Sequence, residues 1–329
     1  MSTTPGADMA DTMIADSAER LFAGQVDRDM RLRTEAGELD AGLWQHVADS
    51  GFALLLASPA AGGFELGWAA AYPVLRGLGY WQVPLPLAET MVAAQLASLA
   101  GFELPAGPLT LIEQGRGNQL QTEGGPGATT LSGVAHAVPW ARHAEAALVS
   151  LADGRLALLG LRQNPGVTVQ PQVNHAGLPS DTLQLQKARP ISVADNPLAL
   201  QQPVWTLGAV ARSAMLVGAL ESALEQSVRY AGERVQFGKP IGRNQAIQQN
   251  LALMAGDVAA ARVAAMVAAA DAPGAASDTC AATPFQYAVA KVRASRPPPG
   301  DLDRPPGARR DRLHQEHALH FPPPALGLA

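Results

Sequence analysis

The apolar residues of this chain change their spacing twice, and each change limits what the chain can fold into. Up to about residue 102, Ala and Leu recur three and four apart between short polar breaks, the period of an amphipathic helix. From about residue 107 the apolar runs become short, alternating or continuous, and are punctuated by Gly, Pro, Asn and Asp, which is strand texture. Near Pro203 the helical spacing returns. Leu207, Val210, Ala214, Val217, Leu224 and Val228 share one face, as do Ile247, Leu251, Met254, Val258 and Ala261. The pattern predicts an α+β multidomain chain: an N-terminal helical domain (1–104), a middle β domain (105–200) folded as a small antiparallel barrel or sandwich, a C-terminal helical bundle (201–295), and a Pro/Arg-rich tail (296–329). Helices are expected over 11–32, 39–49, 65–78 and 87–99. Strands are expected over 109–114, 146–151, 156–160, 167–170 and 182–186. Two long helices joined by 235–243 should follow, and a third should begin near Pro284.

Composition narrows the function classes. In 329 residues, 47% are hydrophobic and 16% charged, so the chain has apolar material for more than one core. A net charge of −5 offers no basic field for a phosphate backbone, which argues against a nucleic-acid partner. Residues 1–16 contain no Lys or Arg and no apolar run of signal-peptide length, so the expected location is cytoplasmic. The Ala/Val-rich stretch 258–271 is interrupted by Arg262 and falls short of the ~20 apolar residues a bilayer requires, so no membrane span is expected. A single cysteine, Cys280, rules out an intrachain disulfide and reads as an incidental thiol.

The common catalytic signatures are missing: there is no GxxxxGK[ST], no GxGxxG after a strand and no GxSxG. His314, His317 and His320 lie three apart in a proline-rich segment without a known coordination pattern, so no metal site is expected. His136, His143 and His175 read as structural or solvent-facing. The informative block is 230–255, YAGERVQFGKPIGRNQAIQQNLALMA. It places Arg234, the aromatic Phe237, a turn and then Gln245 between two long helices. Arg can grip a phosphate with two N–H bonds, a helix start favours anions, and an amide can bond adenine or a phosphate oxygen. Those are parts of a dinucleotide site, although such turns also occur as plain packing.

This block resembles the acyl-CoA dehydrogenase signature, Tyr-x(3)-Arg-x-Gln-Phe-Gly-x-Pro-Ile followed by Gln-Ala and Leu-Ala-x-Met-Ala. Ala61-Gly62-Gly63 with Gly67, Gly77-Leu78-Gly79-Tyr80, Pro84-Leu85-Pro86 and the segment from Leu131-Ser132-Gly133 to Val149 are similar to that family too. The resemblance implies a helical domain, a β-barrel and a four-helix bundle, with FAD as cofactor. It makes Arg234, Phe237 and Gln245 the cofactor-binding candidates, reaching FAD across a subunit interface. It implies α,β-dehydrogenation of an acyl-CoA substrate. A carboxylate takes the α-proton while the β-hydrogen leaves as hydride to the flavin, and electrons pass to an electron-transfer flavoprotein or similar acceptor. A homo- or hetero-oligomer is implied.

Three departures from the family pattern leave the catalytic residue unknown. The run Thr-Glu-Pro-x-x-Gly-Ser-Asp is absent, and 109–122 reads LTLIEQGRGNQLQT instead. The base that some members carry on the first long helix falls at Gly208, and Glu225 and Glu233 read as a solvated face or an interhelical pair. The commoner base lies beyond a Gln-x-x-Gly-Gly-x-Gly-Phe segment that is not legible. Where it is expected, 296–314 reads RPPPGDLDRPPGARRDRLH, which back-translates in a shifted frame to a peptide containing Ala-His-Gln-Val-His-Gly-Ala-Ile-Gly-Phe. A frame disruption near Ser295, a restoration near Gln315 and a second disruption after Phe321 are therefore expected. Loss of the last helix would leave Ile247, Leu251, Met254 and Val258 open to water. The alternative reading is a non-catalytic partner subunit of a heteromeric acyl-CoA dehydrogenase.

Overall fold

The computed structural model describes residues 5–295 apart from 116, 126, 199 and 275–283. Cys280, the three tail histidines and the proposed frame disruptions lie outside the described residues. Five helices come first: α1 (Pro5–Gln25), α2 (Arg28–Glu35), α3 (Ala41–Asp49), α4 (Trp68–Tyr80) and α5 (Leu87–Leu99). The single helix expected over 11–32 is two, because Asp27 adopts extended backbone and its carboxylate accepts from Met30 N–H at 2.7 Å, which caps a new helix. α5 is buried from Leu87 through Ser98 and forms the centre of the largest core.

Two four-stranded sheets follow, and they stay open, where the family resemblance implied a closed barrel. One has the order β1 (Leu109–Glu113), β4 (Ala146–Ser150), β5 (Arg155–Gly160), β8 (Ser192–Asp195). The other runs β2 (Gln119–Glu123), β3 (Thr130–Pro139), β7 (Ser180–Ala188), β6 (Val167–Gln170). Nor is the arrangement wholly antiparallel, since β1 pairs with β4 in parallel. Among the described residues no hydrogen-bonded ladder joins the two sheets. They are held by a shared core in which Ile112, Val149 and Leu159 meet Leu131, Leu183 and Leu185, the arrangement of a sandwich.

The chain then returns to helix: α6 (Pro203–Glu233), α7 (Gln245–Ala270) and α8 (Pro284–Ser295). Pro203 opens α6 at a position where its missing N–H costs nothing, and Asn244 caps α7 by accepting from Ala246 N–H at 3.0 Å. α6 lies against α4 at backbone contact: a Cβ on Gly79 would stand 1.7 Å from Met215 O, and one on Gly218 would stand 2.0 Å from Arg76 O. Arg76 pairs with Glu221 across this seam, and Glu225 accepts from the Tyr80 hydroxyl, so Glu225 belongs to an interhelical pair while Glu233 is exposed.

The face of α7 turned to water differs from expectation. Val258, Ala261, Ala265, Ala268 and Ala269 are buried and Ile247, Leu251 and Met254 are half-buried. The exposed apolar side chains are Leu253, Val263, Met266 and Val267. α6 and α7 are each long and apolar enough to cross a membrane by length and composition, which the shorter stretch 258–271 concealed. α6 owes that character to its place in the protein core, where its apolar window is mostly buried, whereas that of α7 is mostly exposed.

Candidate functional site

The turn between α6 and α7 carries the three residues expected to hold a cofactor. Arg234 is the C-terminal cap of α6, with its N–H on Tyr230 O at 2.9 Å. A short hairpin follows, β9 (Val235–Gln236) against β10 (Lys239–Pro240). Phe237 and Gly238 close it with φ of +52° and +75°, the left-handed pair that a two-residue hairpin turn requires. Glycine adopts that region freely and phenylalanine does so only under strain. Phe237 is 99% exposed, so the folded chain itself gives it no contact to offset the strain. Gln245 begins α7, and among the described residues neither its side chain nor that of Arg234 makes a hydrogen bond or ion pair. The structure thus brings the three together as one outward-facing rim of cation, aromatic ring and amide. The loop is held from beneath, where Gln248 Nε2 donates to Gly242 O at 2.9 Å.

The loop between β1 and β2, where the family's flavin-lining run is missing, is closed on itself. Gln114 Nε2 donates to Leu120 O and its Oε1 accepts from Ala152 N–H, each at 2.8 Å. Asn118 Nδ2 donates to Glu113 O and its Oδ1 accepts from His136 N–H, again at 2.8 Å. Both side-chain amides are therefore occupied within the sheet. Of the lone histidines, His143 Nε2 lies 2.9 Å from Gly37 O and His175 is exposed, in keeping with structural or solvent-facing roles. Among the described residues no group of three His, Cys, Asp or Glu side chains could hold a metal.

Gly208 sits half-buried on α6, and a Cβ built on it meets nothing within 4 Å. One turn further, Arg212 donates to Glu89 of α5, a buried carboxylate that sequence reasoning overlooked. Its only signal was that Glu89 is the one charged residue in a helix that is otherwise uncharged and mostly apolar. Lys291 of α8 lies close by. Burial, helped by the Arg212 charge, pulls its ammonium below the ordinary lysine value.

The description "Acyl-CoA dehydrogenase, C-terminal domain" matches residues 201–297, ending inside Pro297-Pro298-Pro299. FadE27 of Mycobacterium tuberculosis, an acyl-CoA dehydrogenase, is 31% identical over 238 residues, covering 65% of this chain and 62% of the relative. IpdE2 from the same organism, also an acyl-CoA dehydrogenase, is 30% identical over 260 residues, 78% of this chain and 70% of the relative. The chain belongs to the acyl-CoA dehydrogenase family. It spans only 62% of FadE27's length, so the family does not by itself assign this chain an activity. Among solved structures, the Tcur3481–Tcur3483 steroid acyl-CoA dehydrogenase variant superposes with a TM-score of 0.76 at 26% identity, over 89% of this chain and 84% of that one. Against the family pattern, the α6–α7 rim keeps its residues, while the β1–β2 loop and position 208 depart from it.

Proposed function

We propose that the chain is a subunit of an FAD-dependent acyl-CoA dehydrogenase and that Arg234, Phe237 and Gln245 serve an FAD held largely by an adjacent subunit. The observation that carries this is the rim itself, with a fully exposed phenylalanine strained into left-handed backbone between an unpaired cation and an unpaired amide. A guanidinium and an amide suit the pyrophosphate and adenine of a dinucleotide, and Phe237 needs a surface to cover it. The residues fit that outer half of the cofactor. The β1–β2 loop, its amides already bonded, fits the inner half poorly. When bound, FAD supplies the hydride acceptor for oxidation of the acyl thioester, and electrons would leave to an acceptor such as an electron-transfer flavoprotein. The protein's own part is to bind the acyl-CoA thioester and to exclude water from its reacting carbons. No described residue is assigned as the base.

The occupied β1–β2 amides and the glycine at 208 favour a second reading, in which this chain is the non-catalytic member of a heteromer and lends its rim to a complete partner. Purifying the chain alone and co-expressed with a homologous subunit that carries the full flavin segment, and reading flavin absorbance, separates the two. Flavin retained by the chain alone supports the first reading, and flavin only in the co-purified complex supports the second. In either case Arg234→Ala should lower the flavin content, and unchanged flavin in that variant refutes the role given to the rim.

A further inference from the structure

The face of α6 that borders α5 carries a polar pair that the proposed activity does not use. Trp205, Gly208, Arg212 and Met215 stand at i, i+3, i+7 and i+10 and so share one face. Gly208 leaves open space there. Arg212 Nη2 donates to Glu89 Oε1, and Nη1 lies 3.2 Å from the Met215 thioether, a weak acceptor. The other Glu89 oxygen is buried without a hydrogen bond. A pair whose only task is to join two helices gains most from a two-pronged fork, with both carboxylate oxygens engaged. Here the guanidinium is gripped by one oxygen, its side chain is 26% exposed, and its remaining donors face no strong acceptor among the described residues.

We infer that Arg212, positioned by Glu89, donates a hydrogen bond to an oxygen carried on the acyl group of the bound thioester, a keto or hydroxyl oxygen rather than a carboxylate. The inference rests on the acyl-CoA reading above. A plain hydrocarbon chain laid beside Arg212 would strip water from its donors and return nothing. A carboxylate would bring a second negative charge beside Glu89, which already balances Arg212. An uncharged acceptor avoids both costs. Lys291, which bonds Ser295 Oγ at 3.2 Å and feels the Arg212 charge, is the group that would favour a carboxylate instead, so an acidic acyl group is a required arm of the test.

The full chain is titrated calorimetrically with CoA thioesters of equal chain length: one plain, a set with a keto or hydroxyl group at successive carbons, and one ending in a carboxylate. One keto or hydroxyl ester should bind about tenfold tighter than the plain ester, the scale of a hydrogen bond to a charged group. The double variant Glu89→Gln/Arg212→Met, which leaves no buried carboxylate unpaired, should abolish that preference and keep the affinity for the plain ester. Arg212→Lys, which retains the charge and loses the fork, should weaken the preference if the double variant does not fold. Equal or tighter binding of the plain ester, a preference for the carboxylate ester, or a preference that survives the variants overturns the inference alone. Failure of every thioester to bind overturns it together with the acyl-CoA reading.

Discussion

Replacing glycine by alanine should have opposite effects at different glycines of the same helices, and the size of each effect follows from backbone geometry. At Gly256, exposed and in the interior of α7, a new Cβ meets nothing within 4 Å, so Gly256→Ala adds helix propensity alone, about 0.5–1 kcal/mol of stability. At Gly79 and Gly218 the same gain is offered and overwhelmed. The added atoms would stand 1.7 Å from Met215 O and 2.0 Å from Arg76 O, and both obstacles are backbone. Relief requires α4 and α6 to part by more than about 1 Å, a gap that forfeits at least a quarter to a half of each dispersion contact along the seam. Leu75 and Leu78 of α4 and Ala214 and Val217 of α6 are buried at or beside it. Overpacking of this kind costs about 1–3 kcal/mol at a site that can yield and more at one that cannot, so we expect each variant to lose about 3 kcal/mol net. For a chain of 329 residues, at about 2.1 cal/mol/K of unfolding entropy per residue, that corresponds to a midpoint lower by roughly 4 °C. Thermal denaturation followed by far-UV circular dichroism measures it, with Gly256→Ala as control. A Gly79→Ala or Gly218→Ala protein melting at or above the parent would refute the close approach of the two helices.

Three further outcomes can be checked independently. Asp40 caps α3 through Leu43 N–H at 2.8 Å, and that bond, with the Arg33 ion pair, holds its carboxyl below the ordinary 3.8. The stabilisation is complete above the ordinary value and is lost as pH falls through the lower folded value, so Asp40→Ala should cost about 1 kcal/mol at neutral pH and progressively less in acid. A constant cost down to pH 2 would contradict the cap. Asp181 is fully buried and accepts from Arg142 N–H, from its guanidinium and from Gln172 N–H; Asp181→Ala strands all of these and should cost about 3–5 kcal/mol in urea denaturation, against near-neutrality if the pair is dispensable. A fresh read of the gene over codons 289–329 is expected to restore a segment reading Gln-Val-His-Gly-Ala-Ile-Gly-Phe, and bases that confirm the present sequence would end the frame-disruption reading.

What could be read from the sequence was whatever a single local period controls. The ranges expected for the helices at 87–99 and near Pro284 match α5 and α8, because caps, prolines and apolar spacing are written within a few residues of one another. β2 and β3 went unseen since QLQTE is mostly polar and exposed, while LSGVAHAVP breaks its alternation at Gly133. Both become strands only through pairing with each other and with β7. Closure of the sheets was not legible either, since whether strands end as a barrel or a sandwich depends on edge pairing, which no run of residues encodes. The same distinction separates the two candidate sites. Arg234, Phe237 and Gln245 lie within one short turn and could be proposed from spacing, whereas Glu89 and Arg212 are 123 residues apart and meet only because α5 and α6 pack. α7 shows the limit most directly. Of its 26 positions, 18 are Ala, Val, Leu or Met, and its hydrophobic asymmetry is almost nil. Periodicity picked the inward stripe, Ile247, Leu251, Met254, Val258 and Ala261, but not its depth: Val258 and Ala261 are buried and the other three are half-buried. The burial of α7 is decided by α6 and α8, on which Ala261, Ala265 and Ala268 can close because they are small.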